Sequence, residues 1–156
     1  MNISAHITLA EATKSQIAQR KGLDNTPTPE HLANMKNIAE KIFEPLRNFF
    51  GKAIAASSFY RSAAVNKAIG GVSTSQHCSG EAMDLDGDVF GGVANISIFK
   101  WIMNNCIFDQ LILEFVGEDG TGGWVHVSLR KDGKNRMQVL VAYKDEKGKT
   151  KYKPYK

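Results

Sequence analysis

Cysteine is nearly missing. Cys78 and Cys106 are the only two in 156 residues, too few for a disulfide framework or a cysteine-rich zinc site. No apolar run approaches the ~20 residues of a membrane span, so none is expected. Met1 to His6 shows no basic start followed by an apolar stretch. No secretory signal is therefore read; synthesis is expected in the cytoplasm, with any export by another route. Repeats and linker-like stretches are also missing, and residues 1–156 read as one domain with flexible ends at 1–7 and 144–156. The charge excess is small, +4, and local. Six of the twenty Lys and Arg fall in Lys144–Lys156, and without that segment the charges balance. No nucleic-acid partner is expected on that basis.

What is present is ordinary for a globular chain: 42% hydrophobic and 23% charged residues. Residues 8–21 have helical spacing and stop at Gly22. Thr28 can cap a second helix, with Pro29 in its first turn. Leu32, Met35, Ile38, Ile42, Phe43, Leu46 and Phe50 make one apolar stripe along it, and Pro45 should bend it. Ala53–Phe59 reads as a buried strand, 62–69 as a short helix and Val72–Gly80 as a loop. Strands follow at 82–86, 109–116, 124–129 and 137–143, with a helix at 97–106. Helices first and strands later predict an α+β fold, its N-terminal helices packed on a small antiparallel sheet.

A hydrolytic metal site needs three N or O ligands and an open position. His6 lies near an end read as frayed, and His31 sits in a first helical turn where a solvated imidazole is ordinary. His77 and His126 remain, each in a polar, Gly-containing segment beside an apolar strand. A loop turning at Gly80 could bring the imidazole of His77 and the carboxylate of Asp84 together, with the small Ala82 leaving room. Spacing alone also allows a loop histidine and a hairpin histidine without relation. Asp84-Leu85-Asp86-Gly87-Asp88 begins like a calcium loop, but Val89 and Asn95 stand where glycine and glutamate are required. Asp86 and Asp88 read as strand-end and turn acids, although Asp86 shares a strand face with Asp84.

Ser75-x-His77-x-x-Gly80-x-Ala82-x-Asp84, followed by Trp124-Val125-His126, resembles the signature of the zinc D-alanyl-D-alanine peptidases of bacterial cell walls. That group includes carboxypeptidases, dipeptidases and phage endolysins, and shares a core with lysostaphin-type peptidases and the hedgehog signalling domain. Ser58–Ser62 resembles its strand-to-helix arginine motif. The resemblance spans roughly residues 26–130. It implies one Zn²⁺ held by His77, Asp84 and His126, a substrate in peptidoglycan stem peptides, and action at the cell wall or periplasm.

One position departs from the pattern. Many members carry a catalytic Glu three residues before the last His, where this chain has Gly123. Glu114 is the favoured substitute, because it ends the apolar strand expected to pair with that of His126. Glu118 and Asp119 are rivals in a turn. Arg61 can grip a substrate carboxylate or stabilise an oxyanion, or form an ordinary salt bridge. Ser75 can contact substrate or simply shape its turn, and Cys78 reads as a buried thiol. The departure at Gly123 also motivates a second reading, a cell-wall-binding module that keeps the fold without the reaction.

Overall fold

The computed structural model describes residues 1–156. The chain opens with a small antiparallel pair, β1 (Asn2–Ser4) and β2 (Ile7–Thr8). Ile3 and Ile7 are buried in the main core, and His6 Nδ1 lies 2.7 Å from Glu44 Oε2. The start expected to be flexible is thus a packed strand pair. The helix expected over 8–21 is two, α1 (Leu9–Ala12) and α2 (Gln16–Lys21). Two N-caps explain the break. Thr8 forms a capping box with Glu11, and the Ser15 hydroxyl accepts from Ala18 N–H, restarting the helix.

The long apolar stripe is helical from Pro29 to Phe50, as α3 (Pro29–Ile38), a π turn (Ala39–Phe43) and α4 (Glu44–Phe50). Pro45 has no N–H to donate, and its ring crowds the carbonyl four residues back. The wider turn before it absorbs that conflict, with Glu44 N–H reaching Ala39 O. Met35, Ile38, Ile42 and Leu46 are fully buried along one side. Burial of each such side chain contributes roughly 1.5–3 kcal/mol.

The helices cover one face of a six-stranded sheet. Its strands are β3 (Ala55–Ser58), β4 (Ala82–Asp86), β5 (Gln110–Glu114), β6 (Trp124–Ser128), β7 (Gln138–Lys144) and β8 (Thr150–Pro154), in the order β3-β4-β6-β5-β7-β8. Two further helices, α5 (Ala63–Ala68) and α6 (Asn95–Asn105), lie in the connections after β3 and β4. Met83, Leu85, Leu111, Leu113, Val125 and Val127 point into the core. The alternate residues, among them Asp84, Ile112, Glu114, Trp124 and His126, lie on the opposite face.

Three expectations need correction. First, the sheet is mixed, because β5 and β7 run parallel. Strand β6 is already flanked by β4 and β5, so β7 cannot pair with it. Met137 N–H and Gln138 N–H instead donate to Phe108 O and Asp109 O, starting β7 beside the start of β5. Second, residues 144–156 are not loose: β8 pairs with β7, and Tyr155 packs edge-on against Phe99 at 4.9 Å. Third, β3 is an edge strand and only partly buried. No helix is long and apolar enough to cross a membrane.

Candidate active site

The polar face of the sheet forms the floor of a cleft of about 1370 Å³. Arg61, Ser75, His77, Asp84, Glu114 and His126 all line it. The six residues singled out from the sequence are therefore gathered in one place.

His77 stands on a single 3₁₀ turn, Gln76–Ser79, between α5 and β4. The Ser75 hydroxyl oxygen starts the turn by accepting from His77 N–H, and Gln76 Nε2–H donates to the buried Asp109, fastening the turn to the foot of β5. Gly80 ends the turn at φ +77°, where a Cβ would stand 2.6 Å from His31 O. Only glycine lets the chain pass so close to α3 and swing into β4. Two residues on, the fully buried Ala82 precedes Asp84.

His77 is 1% exposed, and its Nδ1–H donates to Phe59 O at 2.7 Å. A carbonyl only accepts, so Nδ1 carries a proton, and Nε2 is the ring nitrogen turned toward the site. That Nε2 lies 3.3 Å from Asp84 Oδ1. Asp84 and His126 face each other across β4 and β6, with His126 Nδ1 3.0 Å from the same oxygen. The two rings stand 5.3 Å apart. One donor atom from each of the three residues lies within 4.8 Å of the other two.

Two imidazole nitrogens and a carboxylate oxygen thus converge on one small volume. Nε2 and the carboxylate oxygen attract only with positive charge between them, a proton or a metal ion. The donor set is the N/O set that zinc takes in hydrolytic sites with one position open. Burial pushes the Asp84 carboxyl upward, yet His77 and His126 outweigh it and hold it well below the usual carboxylate range. His6, His31, Asp86 and Cys78 are outside the group. His6 pairs with Glu44, His31 with the Tyr60 hydroxyl, and Asp86 accepts from Asn95 and Asp88 N–H.

Glu114 lies on the site face of β5, opposite Trp124 on β6 and diagonal to His126. The Trp124 indole N–H donates to Glu114 Oε2. Burial raises the Glu114 pKa above its ordinary value, with His126 and the indole bond opposing. Glu118 and Asp119 do not line the cleft, and Asp119 is occupied by Thr121. Arg61 is half-buried on the cleft wall, its backbone N–H donating to His77 O.

A family model described as Peptidase M15 matches residues 5–128. The chain belongs to this peptidase family. M15 peptidases of the zinc D-alanyl-D-alanine carboxypeptidase type are zinc-dependent, and the His77–Asp84–His126 group is where this member could hold a metal. No curated protein matches the chain.

Trp124 and Tyr152 are among the cleft residues whose part the sequence reading missed. Trp124 marked the motif, but its grip on Glu114 depends on strand register, which the sequence does not display. Tyr152, on β8 beyond the matched residues, also lines the cleft. Its signal was the alternation of Thr150, Tyr152 and Pro154 with Lys151 and Lys153, a two-residue period.

Proposed function

We propose that this M15 peptidase hydrolyses a peptide bond in peptidoglycan stem peptides, at D-alanine, with His77 Nε2, His126 Nδ1 and Asp84 Oδ1 holding one Zn²⁺. The convergence of those three atoms supports the reading most directly. When bound, the metal supplies a water acidified to a pKa of about 7 and polarises the scissile carbonyl.

The remaining steps belong to the chain. Phe59 O fixes the tautomer and direction of His77. Glu114 takes a proton from the attacking water and delivers it to the leaving nitrogen, oriented by the Trp124 indole. Its raised pKa brings it nearer neutrality, where a base both accepts and releases a proton well. Arg61 receives a substrate carboxylate or the developing oxyanion, and the Ser75 hydroxyl proton remains free to meet substrate. The site of action on this reading is the cell wall or periplasm.

The test compares zinc content and release of peptide fragments from purified peptidoglycan for wild type and His126→Ala. Wild type should cleave and the variant should not; equal cleavage contradicts the mechanism. Zinc and wall binding without cleavage by wild type would instead favour the non-catalytic module.

A further inference from the structure

Arg61 is held in an unusual way. Its backbone N–H donates to His77 O at 3.2 Å, tying it to the turn that carries a proposed ligand. Its Nη1–H donates to Asn66 Oδ1 at 3.3 Å. Its Nε is buried and has no partner. A buried N–H without an acceptor is costly, and an acceptor brought by a ligand would relieve it. No carboxylate pairs with Arg61, so the ordinary salt bridge is not its role.

Asn66 is 2% exposed on α5, one turn beyond Arg61. Its own amide is fixed from the other side, where Nδ2–H donates to Val72 O at 2.8 Å. That bond orients Oδ1 as the acceptor facing Arg61. Gly71 makes the space: a Cβ there would stand 2.2 Å from Asn66 Oδ1. A buried polar side chain, a backbone carbonyl and an obligatory glycine thus combine to present one acceptor to one guanidinium nitrogen.

We infer that Asn66 is a positioning residue for Arg61, setting the guanidinium so that its unpaired face meets the carboxylate or oxyanion of the peptide substrate. The inference rests on the proposed peptidase reading for the identity of that ligand. Asn66 touches no reacting atom and acts only through Arg61.

The test is a double-mutant cycle with Arg61→Ala and Asn66→Ala. It is read both as kcat/KM and as calorimetric Kd for a stem peptide ending in D-alanyl-D-alanine, with zinc content measured for each protein. Asn66→Ala should lose about tenfold in an otherwise wild-type background, the scale of one charge-assisted hydrogen bond. It should lose nothing further once Arg61 is gone, and zinc content should not change. Equal losses in both backgrounds, or no loss in either, overturns the inference. If Asn66→Ala fails to fold, Gly71→Ala takes its place in the cycle, since its added Cβ displaces Oδ1 without opening a cavity. A wild type that binds the peptide without cleaving it defeats the peptidase reading, while the Kd cycle still decides the role of Asn66.

Discussion

Gly123 sits against the end of β5 so closely that a Cβ on it would lie 2.0 Å from the Glu114 carbonyl oxygen. Its φ is +57°, and Phe115 next to Glu114 is also left-handed at +57°. No side chain fits at this position, a glutamate least of all. The strand whose carbonyl blocks Gly123 is the one that brings a carboxylate to the cleft. Gly123→Ala should destabilise the fold by roughly 3 kcal/mol, from the left-handed backbone and the forced shift together. Thermal or denaturant unfolding measures it; a variant as stable as wild type would show that the loop yields freely.

Glu114→Gln keeps the shape and the indole contact but removes the base. Turnover should fall by about 10²–10⁴-fold, with zinc content unchanged. Steady-state kinetics beside metal analysis separates this from a folding defect. Undiminished turnover removes Glu114 from the mechanism.

The pH profile should carry the same residue's signature. Burial raises the Glu114 pKa, and the carboxylate is the active form, so kcat/KM should climb with pH along a limb above the ordinary glutamate range. The Trp124 indole bond stabilises the carboxylate and opposes that rise. Trp124→Phe removes the opposition, so the limb should move to higher pH. A shift to lower pH would contradict the geometry.

Stability should depend on Asp109. This buried carboxylate accepts from Arg136 N–H, Nε–H and Nη2–H and from Gln76 Nε2–H, joining the starts of β5 and β7 to the His77 turn. Asp109→Ala should cost about 2 kcal/mol at neutral pH, since several donors lose their acceptor. Burial pushes the Asp109 pKa upward, but the bonds to Arg136 and Gln76 outweigh it and the net shift is downward. A depressed carboxylate contributes stability above its unfolded pKa and loses it as pH falls through the folded one. The gap between wild type and variant should therefore be full at pH 7 and shrink in acid. Urea denaturation across that range checks the sign.

The sequence carried the site further than it carried the sheet. His77, Gly80, Ala82 and Asp84 lie within eight residues, so their relation is set by one turn and one strand, and local spacing displays it. His126 came from its flanking residues, because nothing local links it to Asp84; their cross-strand pairing does. The long helix was legible in its stripe, and Pro45 marked the place of the π turn. The break at Thr13–Ser15 was hidden because two caps follow one another within a single apolar pattern. The parallel β5–β7 pairing was hidden for another reason. It depends on Asp109 and Arg136, 27 residues apart in the chain. Strand β8 was masked by its lysines and by its exposure: only Thr150 of its five residues is partly covered, so its place comes from pairing with β7, which no local pattern displays.

Anomalous diffraction at the zinc edge, from crystals of the zinc-loaded protein, tests the central proposal most directly. The account predicts one peak, about 2.0–2.2 Å from His77 Nε2, His126 Nδ1 and Asp84 Oδ1, with one coordination position not taken by protein. An ion bound by other residues, or no ion between these three in zinc-saturated crystals, would contradict it.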